Sequence, residues 1–429
     1  MEQQVNEQSS PEVLPQTEEE GSCEFDTDLE DDVPSEKSSL TDMYLQACSR
    51  IGTVPVGYFL RHLGESSLNL NYYGIGPLGA KALATVLQYD STITNLELED
   101  NSLKAEGTHY VVEMLQLNTT INSLNLSNND LRVEGAHIIS KMLSDNLYVK
   151  CLRFSGNGFD DASAKYFADA LKGDYMIKEL DLSHNKFSNT GGEHLGQMLA
   201  GNVAIETLNL SWNNLMMKGA EALCAGLKVN TTLKHFLLVS NGFSSFVADS
   251  LSDALKMNST LVLLDLSSNL IYDNAVSTLC PGLAVNGRLK LHYNTITFVG
   301  ALTLLRTVKI NTRTALEDIN ISTVLVCEAF LELLEDVQKK LPALVIQYKV
   351  LPHITKRVSA LPLFKKYLKE QRQNLMEAFR AVDKDRTMKI STADFRNVIK
   401  SSEIPLDRNQ IEWLVRKFDS QCTATISYR

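Results

Sequence analysis

The chain contains 429 residues, of which 44% are hydrophobic and 22% are charged, and its formal net charge is −11. These values are typical of a globular protein with more than one domain, and no run of about 18 apolar residues predicts a membrane span. The seven cysteines lack the spacing of a zinc site, and the acidic N-terminus lacks the apolar core of a secretory signal, so we expect a cytoplasmic protein.

The two ends of the chain differ in charge. Residues 1–40 carry 13 acidic residues and a single lysine, and this composition predicts an acidic, disordered tail. Residues 41–66 have a helical pattern and are predicted to form an N-terminal cap. Residues 339–429 are net basic, so the two ends could attract each other or different partners. The simpler interpretation, which we favour, is a solvated tail at one end and ordinary surface lysines at the other.

The first motif after the cap is Gly74-Ile-Gly76-Pro-Leu-Gly79, which lies between a short strand-like run and an alanine-rich run. This is the G-x-G-x-x-G spacing of a dinucleotide-binding loop. However, the residues Leu68 and Leu70 stand 28 positions before Leu96 and Leu98, within a pattern that continues along the chain. The glycines are therefore interpreted as the turn of a first repeat, and no nucleotide cofactor is expected.

The pattern Leu96-x-Leu98-x-x-Asn101-x-Leu103 recurs seven times with a period of 28 residues. The alternating apolar residues predict a short strand, and the asparagine amide can satisfy backbone groups where each strand ends. Apolar residues three and four apart predict a helix in the second half of each unit. The asparagines that form the predicted ladder are Asn101, Asn129, Asn157, Asn185, Asn213, Asn241 and Asn269.

This pattern resembles the leucine-rich repeats of the ribonuclease-inhibitor type. The resemblance implies an α/β solenoid at residues 67–338, with about ten units, a curved parallel sheet and helices on the convex side. A ninth unit around Asn294 arrives three residues early, and a valine, Val324, takes the asparagine position in the last unit. Asn-x-Ser/Thr sequons also recur at fixed repeat positions, and we attribute them to the repeat: Asn118, Asn125, Asn209, Asn230, Asn258 and Asn320.

The variable strand residues are predicted to converge on the concave face and to bind a protein partner. Trp212 is the strongest candidate, because repeat packing requires no large aromatic residue at its position, and His184 stands one repeat earlier. The predicted partner-binding residues are Asn69, Asn71, Tyr72, Glu97, Glu99, Asp100, Asn128, Arg153, Asp181, His184, Trp212, Asp265, His292 and Tyr293. No catalytic constellation is evident, and we expect a monomer that binds no nucleic acid.

After the solenoid, residues 339–368 form a predicted basic linker. Its three prolines, Pro342, Pro352 and Pro362, argue against one continuous helix. Residues 369–429 resemble a degenerate, truncated EF-hand pair, and the first loop implies calcium ligands at Asp383, Asp385, Thr387, Lys389 and Asp394. Two residues depart from that motif: Met388 replaces the glycine at the sixth place, and Asp394 replaces the glutamate at the twelfth.

Long repeats followed by an EF-hand-like tail resemble the leucine-rich repeat-containing protein 74 group. We therefore expect a non-enzymatic interaction scaffold without a cofactor. Two alternatives remain at this point: a regulator of a small GTPase, because Ran GTPase-activating proteins share this repeat type, and an adaptor that responds to calcium through the tail.

Overall fold

The computed structural model describes residues 39–283, 286–311, 314–350, 352–370, 372–402, 404–419 and 423–428. The predicted acidic tail therefore lies outside the described residues, except for its last two positions. The described chain begins with α1 (Leu40–Ile51), whose first turn is capped by the Ser39 hydroxyl, and α2 (Gly57–Arg61) follows. The helix α1 packs on the first helix of the repeats, and Tyr44 and Phe59 close this end of the core.

The described repeats form one parallel sheet in which each strand pairs with the next along the chain. The register follows the 28-residue period, so that Leu68 pairs with Leu96, and it shortens to 25 residues where Leu264 pairs with Leu289. The strands are β1 (Ser67–Asn69), β2 (Asn95–Glu97), β3 (Ser123–Asn125), β4 (Cys151–Arg153), β5 (Glu179–Asp181), β6 (Thr207–Asn209), β7 (His235–Leu237), β8 (Leu263–Asp265), β9 (Arg288–Lys290), β10 (Asp318–Val326) and β11 (Val345–Val350).

A helix follows each of the first ten strands and packs its apolar stripe against the sheet. In β2, for example, Leu96 is fully buried while its neighbours Asn95 and Glu97 are partly exposed. The short 3₁₀ helices Ser245–Val247 and Cys280–Gly282 flank two of these helices. The helices are α3 (Gly76–Leu87), α4 (Lys104–Leu117), α5 (Arg132–Asp145), α6 (Asp161–Leu171), α7 (Asn189–Gly201), α8 (Met217–Val229), α9 (Ala248–Met257), α10 (Asp273–Leu279), α11 (Phe298–Ile310) and α12 (Glu328–Lys340).

The end of the solenoid differs from the sequence-based expectation. The strand β11 lies within the predicted linker and pairs in parallel with β10, so the described sheet has eleven strands where about ten were expected. The helix α13 (Pro352–Glu370) follows and contains Pro362 in its interior, although the prolines predicted breaks. Pro352 starts this helix, where a missing backbone N–H costs no hydrogen bond.

The C-terminal segment folds into two helix–loop–helix units with a core of their own. Its elements are α14 (Arg372–Val382), β12 (Lys389–Ser391), α15 (Thr392–Ser401), α16 (Arg408–Phe418) and β13 (Thr425–Ser427), and the two strands pair antiparallel. The indole N–H of Trp413 donates to the Glu328 carboxylate on α12, and Lys417 lies 3.4 Å from Glu332. These contacts join α16 to the last helix of the solenoid.

Candidate functional site

The asparagine ladder fixes the backbone beneath the candidate concave site. The side-chain oxygen of Asn129 accepts from the backbone N–H groups of Asn101, at 2.9 Å, and Leu103, at 3.2 Å. Its amide nitrogen donates to the carbonyl of Leu98 at 2.9 Å. It also donates to the carbonyl of Ser127 at 3.0 Å, so one amide satisfies four backbone groups across two repeats at the end of the strand.

The residue before each ladder asparagine has a left-handed backbone, which the sequence analysis did not identify. The same holds for the residues before Asn294 and before Tyr73, which takes the asparagine position in the first repeat. We call these residues the left-handed column. A left-handed backbone costs most residues roughly 1–2 kcal/mol, and Gly156 is the only glycine at the position among the described residues. The glycine at this position of one repeat was the sequence feature that could have indicated the left-handed backbone. The column comprises Tyr72, Asp100, Asn128, Gly156, His184, Trp212, Ser240, Ser268 and Tyr293.

The structure brings His184 and Trp212 together on adjacent repeats. Their rings stack with centroids 5.3 Å apart and planes inclined by 10°. The backbone N–H of His184 donates to the carbonyl of Ser211, and that of Trp212 donates to Val239. The indole nevertheless stays 53% exposed, so the pair forms a flat aromatic surface on a rigid backbone.

The predicted acidic residues near β2 form a connected network. The Glu99 carboxylate accepts from the Tyr72 hydroxyl at 3.2 Å and from the amide of Asn128 at 3.0 Å. Glu97 pairs with the Arg153 guanidinium at 3.0 Å. The charge of Glu99 raises the pKa of the Tyr72 hydroxyl above its ordinary value. These carboxylates are therefore held in fixed positions, and Tyr72 stays 67% exposed beside them.

The remaining predicted residues have three different environments. Asn69 accepts from the backbone of Asn71, and the Asn71 side chain accepts from the backbone of Glu99. Asp181 accepts from the Asn209 amide at 3.0 Å. Asp100 is exposed.

The prediction that Asp265 points into solvent on the concave face is wrong, because this residue is only 6% exposed. The Ser267 hydroxyl donates to its carboxylate at 2.6 Å and lies 2.8 Å from the His292 ring. Asp265 and His292 therefore form an internal cluster. Tyr293, which follows His292, is 68% exposed.

A second polar ladder lies at the opposite edge of the sheet, and the sequence analysis missed it. The side-chain oxygen of Asn118 accepts from the backbone of Thr120 and Ile121, and its amide donates to Leu87 and Asp90, all at 2.8–2.9 Å. Its signal in the sequence is an asparagine or aspartate every 28 residues, and three of these asparagines belong to the sequons at Asn118, Asn230 and Asn258. The buried members are Asp90, Asn118, Asp174, Asn202, Asn230, Asn258 and Asn286.

The first EF-hand-like loop uses its leading carboxylate internally. The two oxygens of Asp383 accept from the backbone of Thr387 and Met388 and from the hydroxyl of Tyr428. The Tyr428 hydrogen bond, as the largest effect, lowers the pKa of Asp383. Met388 has a left-handed backbone, with φ of 61°.

The twelfth-place residue of that loop is also bound within the protein. The hydroxyl of Ser391, which caps α15, donates to the Asp394 carboxylate at 2.6 Å. Within the described residues, no group of three or more histidine, cysteine or acidic side chains is arranged to hold a metal ion. Across those same ranges, no helix is both long and apolar enough to cross a membrane.

Comparison with known proteins identifies two kinds of module. A leucine-rich repeat family model matches residues 117–137, 176–196 and 202–224, and an EF-hand domain pair model matches residues 372–429. Leucine-rich repeat-containing protein 74B of Mus musculus is 46% identical over 48 residues, and that of Homo sapiens is 36% identical over 76 residues. The matched segments cover 11% and 17% of this chain and only 12% and 19% of those relatives' own lengths.

A solved structure of leiomodin-1, titled Actin-Binding Site 2 (ABS2), also aligns with the chain. The alignment has 22% sequence identity and a TM-score of 0.29, and it covers 35% of this chain and 88% of that chain.

Proposed function

Because the chain is a leucine-rich-repeat protein with an EF-hand domain pair, we propose that it is a non-enzymatic scaffold that binds a protein partner on its concave face. The stacked and exposed pair of His184 and Trp212 is the observation that carries this proposal. Exposed tryptophan on a rigid surface is the residue type that most often anchors a protein interface.

The backbone of the left-handed column supports a binding role for its aromatic residues. Tyr72, Trp212 and Tyr293 each have a φ between 56° and 66°, although glycine would relieve the strain at these positions. Their side chains are more than half exposed, so packing does not offset the cost. Strain of this kind persists at binding surfaces where the side chain is needed for contact.

The chemistry near the column favours a partner with basic side chains. Glu97 and Glu99 are held in place by hydrogen bonds, and Asp100 is exposed beside them. An arginine of the partner over the Trp212 ring gains a cation–π interaction of about 0.5–2 kcal/mol. Acidic residues and aromatic rings on one rigid face therefore fit a basic segment of a protein.

Proximity labelling in the native cell type tests this proposal. The wild-type protein is compared with Trp212→Ala and Glu99→Lys, and Phe246→Ala serves as a control because Phe246 is 77% exposed away from the concave face. We expect the same set of labelled proteins from the wild type and the control, and the loss of some of them from both concave variants. An unchanged set from Trp212→Ala and Glu99→Lys would contradict the proposed site.

The GTPase-regulator alternative has a separate assay. Acceleration of GTP hydrolysis by Ran on addition of the purified chain would support it, and the scaffold proposal expects no acceleration. The calcium alternative is disfavoured by the internal hydrogen bonds of Asp383 and Asp394.

A further inference from the structure

A row of exposed apolar residues lies along the edge of the solenoid where the helices end and the strands begin. One such residue at each of seven consecutive helix-to-strand junctions, either the last helical residue or a loop residue, is 52–67% exposed. Isolated exposed apolar residues are common, but one at every helix-to-strand junction over seven repeats forms a line. We call this row the edge ridge, and it comprises Tyr89, Leu117, Leu147, Tyr175, Val203, Val229 and Met257.

The loops that carry the edge ridge are held side by side. Each ridge residue is adjacent in sequence to a residue of the second ladder, counting Asn146 as its partly exposed member. Backbone hydrogen bonds link consecutive loops, for example from the N–H of Lys150 to Asn122 at 2.8 Å and from that of Lys178 to Lys150 at 2.7 Å. The amide of Asn118 donates to the carbonyl of Asp90 at 2.9 Å, and that of Asn258 donates to Asn230 at 2.9 Å. Because hydrogen bonds join consecutive loops along this edge, the ridge residues lie in one row.

The edge ridge is symmetric about its central residue, Tyr175. In the first two and the last two loops the apolar residue precedes the ladder residue, and in the central three loops it follows it. The position before the ladder residue in those central loops is held by Asp145, Gly173 and Gly201. The order of apolar residue and ladder residue is therefore the same in repeats at equal distances on the two sides of Tyr175.

The side chains also match in size when the ridge is reversed on itself. Leu147 then faces Val203, Leu117 faces Val229, and Tyr89 faces Met257. A large side chain meets a smaller one in both leucine–valine pairs, and the third pair gains a sulfur–aromatic contact. Tyr175 meets its own copy at the centre.

From these observations we propose that the edge ridge binds a second copy of this chain in an antiparallel, two-fold symmetric dimer. A two-fold rotation about the radius through Tyr175 maps a planar, curved ridge onto itself with its direction reversed. The same rotation places the ridge-bearing edges of the two copies face to face. The seven side chains present roughly 700 Å² of surface, close to the approximately 800 Å² that each partner buries in a standard-size interface. This surface is separate from the concave face, so the dimer leaves the proposed partner site open.

Sedimentation velocity of the full chain over a range of concentrations tests the dimer. We expect a concentration-dependent dimer for the wild type. We also expect Tyr175→Glu to weaken it by at least about tenfold, since two like charges then meet at the centre. Phe246→Glu, on a still more exposed residue outside the ridge, is the control and should dimerise like the wild type. A wild-type monomer up to about 100 μM, as the sequence predicted, would overturn the proposal.

A charge-exchange experiment tests the antiparallel arrangement. Leu147→Glu and Val203→Lys should each weaken the dimer, because each places a charge against an apolar residue. The double variant should dimerise more tightly than either single variant, because Glu at 147 then faces Lys at 203 of the other copy. Additive weakening in the double variant would overturn the antiparallel register. Circular dichroism of each variant checks that the solenoid stays folded.

Discussion

The indole ring of Trp212 lies flat against the imidazole ring of His184, with the two centroids 5.3 Å apart. The two residues are 28 positions apart in sequence and occupy the same position of consecutive repeats. Both have a left-handed backbone, with φ of 54° at His184 and 57° at Trp212. The repeat therefore places two aromatic rings in contact at a position where folding alone favours glycine.

Trp212 is expected to contribute to binding and not to stability. Trp212→Gly should be at least as stable as the wild type and about 1 kcal/mol more stable than Trp212→Ala, because only glycine relieves the left-handed backbone. Chemical denaturation midpoints of the three proteins measure this order. If both variants were much less stable than the wild type, the ring would be shown to support the fold.

Asn118 is expected to stabilise the junction between two repeats. Asn118→Ala removes four hydrogen bonds to buried backbone groups and should destabilise the protein by about 2–4 kcal/mol. Thr119→Ala, at the exposed neighbouring residue, should change stability by less than about 0.5 kcal/mol. Equal melting temperatures for the two variants would contradict a structural role for the second ladder.

The helices α7 and α8 approach closely through glycine. A Cβ atom at Gly196 would lie 2.4 Å from the carbonyl oxygen of Ala222, so Gly196→Ala should destabilise the protein by about 1–3 kcal/mol. Gly173 has no atom within 4 Å of the same position, and Gly173→Ala should be neutral or slightly stabilising. Thermal unfolding of both variants separates a packing effect from a general loss of backbone flexibility, which would affect them alike.

Cys224 is expected to make stability depend on alkaline pH. Burial raises the pKa of its thiol to about 12, whereas the thiol of the unfolded chain ionises near pH 8.5. Above that pH the unfolded state binds fewer protons than the folded state, so stability falls as pH rises, by up to about 1.4 kcal/mol per pH unit for this group.

Melting temperatures of the wild type and Cys224→Ala at pH 7 and pH 10 check this expectation. The loss between the two pH values should be smaller for the variant, because alanine carries no ionisable group. In the folded wild type at pH 7, the thiol should also resist alkylation. Identical losses of melting temperature in the two proteins would contradict a contribution of Cys224 to the pH dependence.

The EF-hand-like loop is expected to bind no calcium. The Asp383 oxygens accept hydrogen bonds from within the module, and Met388 occupies the glycine position. Calorimetry of the full chain with millimolar calcium should therefore show no binding heat. The double variant Met388→Gly, Asp394→Glu restores the two EF-hand residues and should bind calcium. Binding heat from the wild type would revive the calcium-responsive adaptor.

The 28-residue period was sufficient to predict the solenoid, because each repeat position has a distinct packing role. The strand β11 escaped prediction because Val345–Val350 lacks the leucine pattern and lies between two prolines. The sequence analysis did not predict the left-handed column, because eight of its nine residues are not glycine. Asp265 accepts from Ser267 of its own repeat, which in turn contacts His292 of the next repeat, and alternation within one strand does not predict such contacts.

Site-specific photocrosslinking in the native cell type tests the concave-face claim most directly. A photoreactive phenylalanine analogue replaces Trp212 in one protein and Phe246 in another, since both side chains are more than half exposed. We expect discrete crosslinks to one or a few proteins from position 212 and none of these from position 246. No crosslink from position 212, or the same products from both positions, would contradict it.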